Sequence, residues 1–401
     1  MANIMANQFI PYGRQHITQT DIDAVVAVLQ SDFLTQGSQV PAFEERVAAY
    51  TGAKFGVAVN SATSALHIAC LALGLGQGEK GKDDWLWTTP ITFTASANCG
   101  LYCGANIDFV DIDPLTLNMS INALEEKLQL ADAENRLPKI VIPVHFTGEP
   151  CDMAAIHALS QQYGFKVIED ASHAIGGKYY NQPIGNCEFS DITVFSFHPV
   201  KIITTAEGGL ATTNDPALAE KMQLLRSHGI TRAANLMTHE PDGGWYYQQI
   251  DLGFNYRMTE LQGALGVSQM TKLDEFVARR HQLGKRYDEL LKDLPIMLPY
   301  RNPANYSGFH LYPIQLTADS GKTRKQVFDS LRAQNIGVNV HYIPVHTQPY
   351  YAKLGFKQGD FPHAERYYAQ AISLPLYYDL SEALQDQVVD ALKIALAQAF
   401  A

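Results

Sequence analysis

One lysine stands in the stretch Ser196-Phe197-His198-Pro199-Val200-Lys201, which leaves an apolar run and continues through Ile202-Ile203-Thr204-Thr205-Ala206-Glu207 to the pair Gly208-Gly209. Proline restricts the backbone and glycine frees it, so Lys201 sits in a tightly turned connection between strands. An amine placed there is either a solvated loop residue or a nucleophile toward a carbonyl. Upstream, Lys166-Val167-Ile168-Glu169-Asp170 is an apolar run that ends in acid and passes into Ala171-Ser172-His173-Ala174-Ile175-Gly176-Gly177. Asp170 reads as a helix cap or as the counter-charge of a cationic ring. A third stretch, Asn60-Ser61-Ala62-Thr63-Ser64, follows FGVAV and precedes Leu66, Ala69, Cys70 and Leu73 at helical spacing. Its hydroxyls can cap a helix, and the unpaired N–H groups and dipole at a helix start also favour a dianion.

Pyridoxal phosphate makes three demands of a protein: an amine for its aldehyde, an acid to keep its pyridine nitrogen protonated, and donors for its phosphate. This chain offers all three. Lys201 would hold the aldehyde, Asp170 the ring nitrogen, and the turn Ala62-Thr63-Ser64 the phosphate.

The elements that must position these residues follow from hydrophobic periodicity. Thr20 and Asp21 introduce Ile22, Val25, Val26 and Leu29 at i, i+3, i+4, i+7, an amphipathic helix. A second helix runs from about Pro41 to Tyr50, with Gly52 as its stop. Strand and helix patterns then alternate: FGVAV, WLWTTP, ANIDFVDID, KIVIPVHF, a helix near Met153 to Tyr163, and FKVIED. That alternation predicts an α/β fold with a mostly parallel sheet, whose ligands lie beyond the carboxyl ends of the strands. DITVFSF and GGLATTN follow as two strands joined by a loop, and Thr259 to about Leu294 is helical. HLYPIQL, TRKQVFDSLRAQ and GVNVHYI then predict a strand, a helix and a strand in a smaller second domain.

Composition bounds the function. The 401 residues are 46% hydrophobic and 18% charged, as in ordinary globular proteins, and the length suits two domains. Thirty Lys and Arg against 41 Asp and Glu give a formal charge of −11, and no basic run offers a grip on nucleic acid or an anionic membrane. The five cysteines form no C-x-x-C pair, so neither a disulfide framework nor a zinc site is expected; reduced thiols in the cytoplasm are. The first residues lack the apolar core of a signal peptide, and no apolar stretch is long enough to span a membrane.

SFHPVKIITTAEGG, EDASHAIGG, NSATSALH and DLGFNYRMTELQGALG, in their order and over nearly the whole chain, resemble the DegT/DnrJ/EryC1/StrS family of nucleotide-sugar aminotransferases. The resemblance implies the type I aminotransferase fold: a large domain with a central seven-stranded sheet, residues 1–270, and a smaller C-terminal domain, residues 271–401, in a homodimer with shared active sites. Within the family, SDFLTQG, TTPITFTASAN and NVHYIPVH are most similar to the branch that aminates C4 of a UDP-linked 4-keto-6-deoxy-N-acetyl-hexosamine in pseudaminic acid biosynthesis, with L-glutamate as donor. The chain departs from many members in Ala206, where they carry glycine, and in longer segments around Gln77 to Asp84 and from Thr231 to Gln249.

Residue by residue, the resemblance places Phe93 on the face of the cofactor ring, His173 near its hydroxyl, and Ser196 with Ala62, Thr63 and Ser64 at its phosphate. Asn255 would reach that phosphate from the neighbouring subunit, with Arg257 two positions on. Tyr12, the stretch Asp32, Phe33, Leu34 and Thr35, and the stretch His341, Tyr342, Ile343 and Pro344 would face the sugar nucleotide together with Ala62, Ser196 and Asn255. Three other readings stand beside this one. A 3-dehydratase of the same fold would carry histidine in place of Lys201. A dinucleotide-binding dehydrogenase could use Gly74-Leu75-Gly76-Gln77-Gly78, though that pattern ends a helix where the fingerprint should open one. A non-catalytic regulatory protein would have no need of Lys201 and Asp170 together.

Overall fold

The computed structural model describes residues 9–77 and 81–397; Gly78 and part of the insertion around Gln77 to Asp84 lie outside the described residues. Seven strands form the central sheet. β1 (Phe55–Val59), β2 (Trp85–Thr88), β3 (Asn106–Phe109), β4 (Ile140–Ile142) and β5 (Lys166–Asp170) are joined by the strands Ile192–Ser196 and Gly209–Thr213. Their spatial order is β1, Gly209–Thr213, Ile192–Ser196, β5, β4, β2, β3. β3, β2, β4, β5 and Ile192–Ser196 run parallel, while Gly209–Thr213 is antiparallel to both of its neighbours. The sheet is α/β and mostly parallel, as the alternation predicts.

Of the crossing helices, α1 (Gln19–Leu29) and α2 (Gln39–Thr51) precede the sheet. α2 stops at Gly52, whose φ of 82° is the left-handed conformation that glycine adopts without steric cost. α3 (Ala62–Ala72) follows β1 and α4 (Ala95–Tyr102) follows β2. α1 is capped by Thr18 rather than by Thr20 or Asp21: Asp21 occupies the third helical position and closes a capping box back onto Thr18.

Two apolar clusters fill the interior around the C-terminal half. One packs Phe43, Phe195, Phe197, Leu273, Phe276 and Val277, while another gathers Leu283, Tyr287, Leu291, Tyr312, Ile314, Val327 and Leu392. The long helix Leu273–Leu291 therefore begins in the first cluster and ends in the second. The N-terminal arm joins them too, with Ile10 buried in the C-terminal cluster. Its backbone pairs with residues 335 and 337, and Leu376 N–H donates to Tyr12 O at 3.0 Å.

GVNVHYI forms no strand. The edge of Tyr312–Leu316 is taken by Ala371–Leu374 on one side and Ile296–Met297 on the other. Residues 337–342 run past that edge, bonded at Gly337 to Ile10 and at Asn339 to Ser373. The backbone is thus satisfied by the arm and by one bridge.

The arm is locked by Asp21, which is buried completely. Its carboxylate accepts from Thr18 N–H and Oγ, Ser268 Oγ at 2.6 Å, Gln269 Nε2 at 3.0 Å and Lys272 Nζ at 2.7 Å. Burial pushes its pKa up, but Lys272 and the other donors outweigh that and hold it at about 2, below the usual 3.8. A folded-state value below the unfolded one means that the contribution is complete above about pH 4 and is lost as pH falls toward 2. Asp21→Asn should therefore unfold at lower urea at pH 7, by about 3 kcal/mol, and should lose part of the wild type's further decline between pH 4 and 2, as read from urea midpoints.

Candidate active site

The carboxyl ends of β5 and Ile192–Ser196, the start of α3 and the segment 339–342 converge on one cavity of about 840 Å³. Its lining includes Tyr12, Ala62, Thr63, Ser64, Phe93, Asp170, His173, Ser196, Lys201, His341 and Tyr342. Sequence reasoning named all eleven.

Lys201 lies in the arch between the strands Ile192–Ser196 and Gly209–Thr213. Phe197 pins that arch: its N–H donates to Gly208 O at 2.9 Å, its carbonyl accepts from Thr205 N–H at 3.0 Å and from Thr204 Oγ1 at 2.9 Å. Lys201 N–H donates to His198 O within it. Ala206 holds φ at 66°, the left-handed region that favours glycine, so the arch keeps its shape at a steric cost. The glycine pair is needed for close approach: a Cβ on Gly209 would lie 2.4 Å from Ala62 N and from Ser61 C. Gly209 thereby seats the turn that opens α3 against the lysine arch.

That turn has the donors a phosphate requires. Ser61 caps α3, accepting from Ser64 N–H at 3.1 Å, and Ser64 Oγ donates to Asn60 Oδ1 at 2.7 Å. The N–H groups of Ala62 and Thr63 precede the first intrahelical bond and have no acceptor among the described residues. Asp170, 5% exposed, faces the cavity from the end of β5, with Ser172 N–H on its Oδ1 at 3.1 Å. Phe93 is 61% exposed in the loop before α4 and presents its ring toward the cavity. Amine, acid, ring face and phosphate donors share one cavity, so the residues fit pyridoxal phosphate.

Electrostatics support the assignment. Withdrawal from water pulls the Lys201 amine down to about 8, against the opposing pull of Asp170. Burial, followed by the charges of Lys201 and His341, drives His173 well below the usual histidine range, and burial with Lys201 drives His341 to about 3. Burial also lowers His310, which lines the same cavity. At neutral pH these three imidazoles are neutral. His173 Nε2 is bonded to Tyr342 OH at 3.0 Å, and Tyr342 keeps its phenol proton because burial and the Asp170 charge raise its pKa.

A model of the DegT/DnrJ/EryC1/StrS aminotransferase family matches residues 15–393. The chain belongs to the DegT/DnrJ/EryC1/StrS aminotransferase family. It is 39% identical over 96% of its length to the spore coat polysaccharide biosynthesis protein SpsC of Bacillus subtilis, 97% of which is covered. It is 36% identical to the UDP-4-amino-4,6-dideoxy-N-acetyl-beta-L-altrosamine transaminase of Campylobacter jejuni, over 93% of both chains. The solved structure of Helicobacter pylori PseC, an aminotransferase involved in the biosynthesis of pseudoaminic acid, superposes with a TM-score of 0.87 at 31% identity, covering 97% of this chain and 99% of that one. As a DegT-family aminotransferase the chain uses pyridoxal phosphate, and its fold is that of the PLP-dependent sugar aminotransferases.

Other residues anticipated from this family do not meet Lys201 within one chain. Asp32, Phe33, Leu34, Thr35, Asn255 and Ile343 are exposed, Pro344 is buried, and none of them lines the cavity. Sequence reasoning also missed lining residues. Asn60, Thr92 and Asn339 lay inside stretches quoted for their neighbours, while His310 was read only as part of an apolar strand.

Because only the neutral amine attacks an aldehyde, reconstitution of the cofactor-free protein with pyridoxal phosphate should accelerate about tenfold per pH unit up to a plateau near pH 8. Borohydride reduction should then place the pyridoxyl group on Lys201 in peptide maps. Label on another lysine, or a pH-independent rate, would contradict the site.

Proposed function

We propose that this protein transfers the amino group of L-glutamate to C4 of a UDP-linked 4-keto-6-deoxy-N-acetyl-hexosamine, giving UDP-4-amino-4,6-dideoxy-N-acetyl-beta-L-altrosamine, and that it works in the cytoplasm as a homodimer with shared active sites. The observation that carries the chemistry is the meeting of Lys201, Asp170 and the start of α3 in one cavity. The substrate rests on the likeness to the Campylobacter transaminase and to PseC.

When bound, pyridoxal phosphate supplies an aldehyde that accepts an amino group and a protonated ring that draws electrons. The chain supplies the rest. Lys201 Nζ, whose pKa burial lowers to about 8, takes the Cα proton of the donor and later delivers a proton to the sugar C4 from its own face, which sets the stereochemistry. Asp170 keeps negative charge against the ring nitrogen. Ala62, Thr63, Ser64 and Ser196 hold the phosphate, and Phe93 fixes the ring plane. Tyr12, His341 and Tyr342 close the cavity toward the sugar.

The charge of that substrate supports a shared site. Lys201 is the one lysine or arginine among the described residues that line the cavity, yet a UDP-linked sugar brings two phosphate charges. Asn255 and Arg257 stand on a surface loop whose neighbour Tyr256 is bonded through its carbonyl to Asn60 N–H, beside the phosphate turn. A second copy that brings this loop to the cavity supplies the missing cation. The apolar side of α1, with Ile22, Val26 and Leu29 exposed, offers surface for such a partner. The higher identity to SpsC favours a second reading, a different nucleotide-linked keto sugar on the same machinery.

Glutamate with a panel of UDP- and dTDP-linked 4-keto sugars, and NMR of the product, distinguishes the two readings; amination only of dTDP sugars would sink the first. Asp170→Asn should lower turnover at least about 10²-fold while the protein stays folded. Mixing Lys201→Ala with Asn255→Ala homodimers, with exchange verified by differently tagged chains, should raise activity above both parents, because one site of the mixed dimer then has both residues intact. No recovery after proven exchange would mean that Asn255 serves its own subunit.

A further inference from the structure

Two buried hydroxyls stand behind Asp170. Ser96 Oγ lies 2.6 Å from Asp170 Oδ2 and 2.7 Å from Thr92 Oγ1, and the two residues are 0% and 2% exposed. Counting protons fixes the direction of the chain. A carboxylate only accepts, so the single hydroxyl proton of Ser96 goes to Asp170; its other acceptor in reach, Phe93 O, is farther at 3.3 Å. Ser96 oxygen can then only accept from Thr92, which must donate. Neither residue is needed to cap α4, because the cap position belongs to Thr94.

We propose that Thr92 and Ser96 are positioning residues for the aminotransferase reaction: a two-hydroxyl relay that fixes the Asp170 carboxylate in place against the ring of the bound cofactor, so that the proton between them stays on the pyridine nitrogen. The proposal rests on the cofactor reading above and deepens it. Hydrogen bonds to a charged acceptor are stronger than neutral ones, and a second hydroxyl behind the first polarises it further. With Ser96 on Oδ2 and Ser172 N–H on Oδ1, the carboxyl group has both oxygens anchored and cannot rotate away from the ring. Phe93 lies between the two hydroxyl residues in sequence. The opening of α4 therefore sets the ring face through Phe93 and the ring nitrogen through Ser96, and a shift of this one turn moves both.

The test is spectroscopic. Wild type, Ser96→Ala, Thr92→Val and Thr92→Ser are loaded with pyridoxal phosphate labelled with 15N in the ring, and the ring resonance is read by NMR. It should sit at the protonated position in wild type and in Thr92→Ser, move toward the unprotonated position in Ser96→Ala, and move the same way by less in Thr92→Val. In parallel, Ser96→Ala should weaken binding of pyridoxal phosphate about tenfold or more, yet leave unchanged the affinity for the deaza analogue whose ring nitrogen is replaced by C–H. An unmoved resonance in a variant that binds the cofactor overturns the relay, and so does equal loss of affinity for both compounds, which would mark a merely structural serine. Should Ser96→Ala fail to fold, the nearly isosteric Thr92→Val against Thr92→Ser decides. A wild type that binds neither compound would overturn the cofactor reading and the relay with it.

Discussion

A carboxyl group at the end of a buried strand, held by hydrogen bonds from Ser96 and Ser172, is the constraint around which this molecule is arranged. Asp170 is a carboxyl group withdrawn from water, and such burial is tolerable only when hydrogen bonds replace hydration. β5 delivers it, the following turn gives Ser172 N–H, and α4 gives Ser96. The parallel order of β4, β5 and Ile192–Ser196 brings the carboxyl ends of three strands together, so that the lysine arch leaves the sheet beside the acid. The same burial that taxes Asp170 lowers the amine of Lys201, which lets it act as base and nucleophile near neutral pH.

Glu169, one residue before the acid, shows how the opposite face of β5 is handled. It accepts from Ser190 Oγ, from Thr193 Oγ1 at 3.0 Å and from His145 Nε2 at 2.7 Å, while His145 Nδ1 takes Cys151 N–H at 3.0 Å. His145 N–H in turn donates to Asp170 O at 3.1 Å. Alternation along the strand thus puts a fully bonded acid on one side and a deliberately incomplete one on the other. The first holds the strand; the second keeps an oxygen lone pair for a ligand.

What could be read from the sequence follows from the range of the interactions involved. The strands β1 to β5, the stop at Gly52 and the turn before α3 depend on neighbours within a few residues, and the alternating pattern exposed them. Lys201, Asp170 and the Ala62-Thr63-Ser64 turn were legible because one cofactor needs all three kinds of group. GVNVHYI was misread because its alternation is that of a strand, while its backbone partners, Ile10 and Ser373, lie far away in sequence. Thr18 as the cap of α1 was hidden by Thr20, a residue equally able to cap. Ser96 and His310 carried no signal: a serine in a small-residue helix and a histidine in an apolar strand acquire meaning only when Asp170 and Lys201 are brought beside them.

The cavity also lies where independent packing units meet, which ties its geometry to the stability of both. Tyr12 stands on it because Ile10 is buried in the C-terminal cluster and because Gln269 Nε2 donates to His16 O at 3.0 Å. The same Gln269 side chain accepts from Thr204 N–H at 3.3 Å, in the arch of Lys201, and donates to Asp21. One glutamine thus links the arm, the helix cap and the arch that carries Lys201. His341 is held from the other side by Ser373 Oγ at 2.8 Å, and its carbonyl by Tyr367 OH at 2.8 Å. A wall assembled from the arm, the lysine arch and the C-terminal cluster keeps its shape only while all of them are docked. Loosening the C-terminal cluster therefore displaces Tyr12 and His341 before it disturbs Lys201 or Asp170, which rest on the central sheet. Within one chain, Lys201 and Asp170 stand at the ends of central-sheet strands, whereas Tyr12 and His341 are held by the arm and by the C-terminal segments.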